Sequence, residues 1–113
     1  MTSAIASWYA GTTRQVVTTV KNLQGELVSL TGATATFVML KCLSDEVIFT
    51  KTVNDGITLT EEGSIVTVDI DPEDTASMEG DHQIQLEITL ATGVVLMAYD
   101  VVIFIKRNYA HAG

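Results

Sequence analysis

Positive charge is scarce in this sequence. Its 113 residues include 6 lysines and arginines against 14 acidic residues, a formal net charge of −8. No Lys or Arg occurs between Lys51 and Lys106, while Glu61, Glu62, Asp69, Asp71, Glu73, Asp74, Glu79, Asp81, Glu87 and Asp100 all fall inside that gap. Binding nucleic acid requires cations that displace counterions from phosphate, so this balance argues against it. The acidic run reads as a solvated edge that discourages edge-to-edge pairing, or as a face for a basic protein partner. Cysteine is nearly absent too. Cys42 stands alone, which rules out an internal disulfide, and its place in the run Phe37–Leu43 predicts a buried, inert thiol. The one proline, Pro72, lies outside every expected strand. No apolar run is long enough for a membrane span: Val94 to Ile105 is short and broken by Asp100. The start, Met1-Thr2-Ser3-Ala4-Ile5, lacks the basic and apolar regions of a signal peptide, so synthesis in a cell's cytoplasm is expected.

What is present favours sheets. Hydrophobic residues make up 47% of the chain and charged ones 18%, with Val, Ile, Thr and Leu prominent, which excludes a disordered segment. A chain of this length buries about two-thirds of its unfolded surface and can hold a core without metal or disulfide. Low charge on a β-rich chain also suggests that part of its surface is covered by something else.

Seven to eight strands are expected at spacings of about ten residues, the rhythm of a β-sandwich. They are Arg14 to Lys21, Glu26 to Leu30, Ala33 to Leu43, Glu46 to Val53, Ile57 to Leu59, Ile65 to Ile70, Asp81 to Leu90 and Val94 to Lys106. Asn54-Asp55-Gly56 and Thr92-Gly93 are turn signals. Ala33 to Leu43 carries apolar residues on both faces and should be central in its sheet. Between two strands, residues 72–78 form one helical turn. Asp71 is placed to accept hydrogen bonds from its free N–H groups, Pro72 sits at the first helical position, and Gly80 is expected to end it. Beyond the turn, Ile84, Leu86, Ile88 and Leu90 alternate with Gln83, Gln85, Glu87 and Thr89, as in a strand with one wet face. The expected organisation is an N-terminal arm (1–12), a sandwich domain (13–107) and a C-terminal tail (108–113).

Little in the chain suggests chemistry. His82 and His111 are far apart with no partner at fixed geometry, and Cys42 lacks the electropositive, accessible setting a nucleophile needs. No catalytic, cofactor or metal residues are therefore assigned, and no enzyme activity is expected. Asp69, Asp71, Glu73 and Asp74 form the one group of oxygen ligands that a calcium ion would suit, although capping is the better use of Asp71. Partner contact is expected from the arm, through Ile5, Trp8 and Tyr9, because aromatic side chains bury much area at low entropic cost. Lys106, Arg107 and Tyr109 at the other end are candidates for an acidic neighbour. Acid in the middle and base at the ends makes symmetric self-association physically plausible.

Four short blocks then bring a family into view. Leu30-Thr31-Gly32-Ala33-Thr34-Ala35-Thr36-Phe37 resembles the "(D)LTGATV.F" opening of the immunoglobulin-like domains at the N-terminus of tailed-phage baseplate upper proteins. Gly56-Ile57-Thr58-Leu59 and Gly63-Ser64-Ile65-Val66-Thr67-Val68 resemble that family's "GITI…dG.v.v" block. Asp71-Pro72-Glu73-Asp74-Thr75 with Gly80-Asp81-His82 resembles its "peDT…l..G.Y" signature, with His82 where Tyr is common, and Thr92-Gly93-Val94-Val95 resembles the following turn. The resemblance spans roughly residues 13 to 106. It implies an immunoglobulin-like sandwich in a virion, partnered by other phage structural proteins and by copies of itself. Either a tail or baseplate component or a capsid decoration (cement) protein fits. Family members commonly continue into further segments, and a chain ending at Gly113 leaves room for the latter. A stand-alone module recognising a host surface protein or glycan is the alternative, although the loops Asn54-Asp55-Gly56 and Glu61-Glu62-Gly63 lack the aromatic residues a sugar platform needs.

Overall fold

A computed structural model describes residues 6–44 and 46–107. One hydrogen-bonded sheet runs through it and curls back on itself. Its strands are β1 (Ala6–Tyr9), β2 (Arg14–Thr19), β3 (Thr34–Lys41), β4 (Val47–Val53), β5 (Gly56–Thr60), β6 (Ile65–Ile70), β7 (Gly80–Thr89) and β8 (Val95–Lys106). Their order across the sheet is β1-β8-β7-β3-β4-β5-β6-β2. The fold is all-β and sandwich-like, as expected.

The curl is made at the β4–β5 corner. Asn54 adopts a left-handed φ of 68°, and the two strands share only the pairs Thr52↔Gly56 and Val53↔Ile57. Strands β1, β8, β7, β3 and β4 thus make one layer, and β5, β6 and β2 the other. β3 is central, paired along its length with β7 and with β4. Period-two alternation turns Phe37, Met39, Ile84, Leu86, Ile88, Ile103 and Ile105 of the large layer inward, to meet Ile57, Val66, Val68 and Ile70 of the small one. Phe37 stacks on Phe49 at 6.0 Å between ring centroids and meets Tyr99 edge-on at 6.4 Å. Ala98 is an extra residue between the pairs Leu86↔Tyr99 and Glu87↔Met97, a bulge that adds twist where β8 bends over the core.

Several expectations need correction. Residues 6–12 of the expected arm are not an appendage. β1 joins the sheet, parallel to β8, and Trp8, expected to contact a partner, sits opposite Ile105 with only 4% of its surface exposed. Removing a buried indole costs about 3–5 kcal/mol, so deleting residues 1–11 would damage the fold. Glu26 to Leu30 is not a strand. It makes one bridge, Lys21↔Leu27, and then crosses as a loop whose Leu30 is buried and whose Val28 carbonyl accepts the Ser64 hydroxyl. Cys42 lies half-buried in the turn after β3, not inside the strand.

The helix α1 is shorter than expected, Pro72–Thr75. The Asp74 carboxylate accepts the Asp71 N–H at 2.7 Å, and the Asp74 N–H donates to the Asp71 carbonyl at 3.0 Å. Gly80 does not end this helix. A turn in which the Met78 N–H donates to the Thr75 carbonyl does so, and Gly80 opens β7 with φ at +98°. The buried Thr75 hydroxyl accepts the Gly11 N–H at 3.0 Å, tying the β1–β2 bend to the crossover between layers.

Thr75→Val keeps the shape but strands the Gly11 N–H, and is expected to cost about 1–3 kcal/mol. Gly80→Val meets no neighbouring atom at its Cβ yet forces a β-branched residue to positive φ, at a cost of about 1–3 kcal/mol. Urea denaturation reads both; an unmoved midpoint would remove the corresponding bond or strain from the account.

Candidate functional site

The inner faces of both layers are packed against each other, but the outer face of the large layer is not covered by any of the described residues. Three rows of side chains run across it. Val102, Gln83, Leu40 and Val47 form one row. Asp100, Gln85, Val38 and Thr50 form the next, and Met97, Glu87, Thr36 and Thr52 the third. The Gln83 amide donates to the Asp100 carboxylate at 2.5 Å, linking two polar side chains of β7 and β8. Around them Met97 is 52% exposed, Val47 49% and Phe104 38%. A shallow depression of about 240 Å³ lies between Thr36, Val38, Gln85, Glu87 and Met97. Lone exposed apolar residues are ordinary, whereas several grouped on one face with threonines and glutamines make it a candidate contact surface.

One end of this face gathers residues from both ends of the sequence. Tyr9 pairs with Lys106, its ring is 53% exposed, and the Lys106 ammonium lies 5.7 Å from the ring centroid. Arg107 follows, also exposed. Of the expected contact residues, Tyr9, Lys106 and Arg107 are therefore brought together on the surface. Trp8 points the other way, with the Arg14 guanidinium 5.2 Å from its ring centroid. Ile5 and Tyr109 lie outside the described residues. Phe104, Val47 and Met97 were not anticipated. The signal for Phe104 was available, since it falls out of phase with Ile103 and Ile105 in one strand.

A second cluster is structural. Lys51 stands opposite Phe37 in the register, and its stem runs over Gly56, where a Cβ would come within 2.5 Å of the Lys51 Cδ. That path carries its ammonium to the Asp74 carboxylate at 2.8 Å, with the Asp71 carboxylate at 3.8 Å. Burial pushes the Lys51 ammonium pKa down, but the hydrogen bond to Asp74 and the charges of Asp74, Asp71 and Asp55 outweigh it, and the net direction is upward. Asp69, the remaining member of the conceivable calcium group, accepts from the Gln15 amide at 2.9 Å on the β2–β6 pair. Among the described residues, no group of three His, Cys, Asp or Glu side chains is placed to hold a metal ion. His82 is buried, with its Nδ1 3.0 Å from the Gly80 carbonyl oxygen. His111 lies outside the described residues.

No protein-family model matches the chain, and no curated protein matches it significantly. What the arrangement can do is therefore read from the surface itself: a broad, weakly charged, partly apolar sheet face with an aromatic–cation pair at one end.

Lys51→Met retains the stem and removes the charge, leaving Asp74 without its ion-pair partner, and should destabilise the fold by about 1–3 kcal/mol. Because the Lys51 pKa is raised on folding, the pair's contribution is complete below the lysine's ordinary value and is lost as pH rises through the higher folded one. Denaturation midpoints of the wild type and Lys51→Met should therefore converge in strong alkali. A gap unchanged at every pH would contradict the pairing.

Proposed function

We propose that this chain is a non-enzymatic structural component of a tailed-phage virion that assembles by symmetric protein–protein contacts. It works as a tail or baseplate component or as a capsid decoration protein, partnered by copies of itself and by other phage structural proteins. The observation that carries this reading is the outer face of the large layer. Met97, Val47, Phe104 and Tyr9 are exposed there among threonines and glutamines, as suits a sheet surface designed for burial in an assembly. Modest contacts of this kind, repeated by symmetry, hold a particle together through avidity.

The sequence blocks add support. Gly32 in Leu30–Phe37 takes a positive φ of +72° at the turn before β3, and Gly93 takes +92° at the hairpin before β8. Asp71–Thr75 supplies the crossover turn and its cap. The residues that carry the resemblance to immunoglobulin-like domains of baseplate upper proteins are thus the ones that set the chain's bends. The acidic surface discourages association with nucleic acid and leaves protein neighbours as the suitable partners.

An antibody raised against the purified chain should label intact particles of the encoding phage in negative-stain images. Label on the tail tip and label distributed over the head distinguish the two placements. Particles free of label, whose denatured proteins also lack the chain by mass spectrometry, would overturn the proposal.

A further inference from the structure

β4 lies on the far side of the large layer from β1 and β8, and toward β5 only its last two residues are paired. Thr52 and Val53 meet Gly56 and Ile57, and Thr52 exchanges both backbone bonds with Asp55. Before that corner the two strands part. Among the described residues no strand lies beside this edge of Val47 to Lys51, and Val47 and Ile48 are 49% and 38% exposed. Alternation says which groups the open edge offers. Thr52 turns its N–H and carbonyl away from β3, so Lys51 turns toward β3 and Thr50 away. At the other end the Lys41 N–H donates to the Glu46 carbonyl at 3.2 Å, which turns Glu46 toward β3 and Val47 away. Val47 and Thr50 are thus the residues whose backbone groups face outward. Two residues separate them instead of one, because Ile48 is extra: Met39 pairs with Phe49 and Leu40 with Val47. Charge and proline, two of the usual guards of an edge, are missing between Glu46 and Lys51. The third guard, a bulge, is present and selects the partner.

We infer that a second copy of the chain pairs on this edge, β4 against β4 about a two-fold axis, joining two layers of five strands into one sheet of ten. A regular strand leaves a single residue between successive outward-facing ones, so it can meet Val47 or Thr50 but not both. An antiparallel copy of β4 carries the same interruption and meets both. With the axis between Ile48 and Phe49, Val47 stands opposite Thr50 of the second copy, and Thr50 opposite its Val47. Each pair exchanges both backbone bonds. In the same register Ile48 stands opposite Phe49, and Glu46 opposite Lys51. Apolar therefore meets apolar, and acid meets base at both ends, as a self-complementary contact requires. Other two-fold registers lose this match. Centred on Val47, the pairing sets Thr50 against the turn before β4; centred on Thr50, it runs the second copy into the β4–β5 corner that Asp55 already fills. The site is an edge, distinct from the outer face, and it stands or falls independently of the virion reading.

Sedimentation velocity and residue-resolved hydrogen exchange on the full chain test this together. The protein should sediment as a dimer at millimolar concentration and dissociate on dilution to micromolar. The Val47 and Thr50 amides should exchange at least about tenfold more slowly in the concentrated sample. Thr50→Pro removes an N–H that points away from β3, so it breaks no ladder bond within the chain, and it should stay monomeric at both concentrations. Met97→Arg alters the outer face and not the edge, and should dimerise like the wild type. A monomer at every concentration would overturn the inference. So would a dimer whose Val47 and Thr50 amides exchange as fast as in the dilute sample, a Thr50→Pro chain that dimerises normally, or loss of the dimer in Met97→Arg. The exchange comparison needs the wild type alone, so it decides the matter even where Thr50→Pro fails to fold.

Discussion

The two layers of this protein are held in register by a small polar knot at the crossover between them. The chain leaves β6 at Ile70 and must re-enter the other layer at Gly80, and the intervening turn is fixed from three directions. Asp74 folds back onto the Asp71 N–H, Lys51 reaches across from β4 to the Asp74 carboxylate, and the buried Thr75 hydroxyl accepts the Gly11 N–H from the bend between β1 and β2. Buried polar groups are costly unless satisfied, and each of these satisfies another. With the knot in place, β7 starts in the phase that points His82, Ile84, Leu86 and Ile88 inward. A shift of one residue would expose that whole row and bury Gln83, Gln85 and Glu87.

With the inner faces matched, the outer face of the large layer is left partly exposed by the described residues. Val38, Leu40 and Val102 lie outward beside Val47, Phe104 and Met97, and their burial by this chain alone is incomplete. The inner faces account for folding. The outer face has no packed counterpart among the described residues, and the proposed assembly is what would cover it. The Tyr9–Lys106 pair marks one end of it, where the first and last strands lie side by side.

How much of this was legible in the residues varies from element to element, for physical reasons. β7 was plain, because strict alternation from Ile84 to Leu90 has one structural meaning. The crossover turn was nearly so, since Asp71 followed by Pro72 and two acidic residues is a strong start signal for a helical turn. Gly80 was read as a terminator because glycine serves equally well at helix ends and at strand entries with positive φ. Trp8 was misplaced because nothing local says that an early strand will pair in parallel with the last one, some hundred residues away. The segment Glu26 to Leu30 has the residues of a strand, but its hydrogen bonds go to one bridge and to Ser64. Apolar residues on both faces of β3 were rightly taken to mean a central strand. A central strand is flanked at its edges, however, and need not be covered on its outer face. That second face was the part of the candidate site that the sequence held but did not distinguish from core.

The central claim is that this outer face is buried when the protein is at work. Hydroxyl-radical footprinting of the free chain and of the same chain within purified particles measures it directly, since both Met97 and Phe104 are reactive and exposed in the free protein. The account predicts that oxidation at Met97 and Phe104 falls several-fold in the particle, while the exposed Leu23 and Leu43, outside the face, are modified alike in both states. Undiminished oxidation of Met97 and Phe104 in the particle would contradict it.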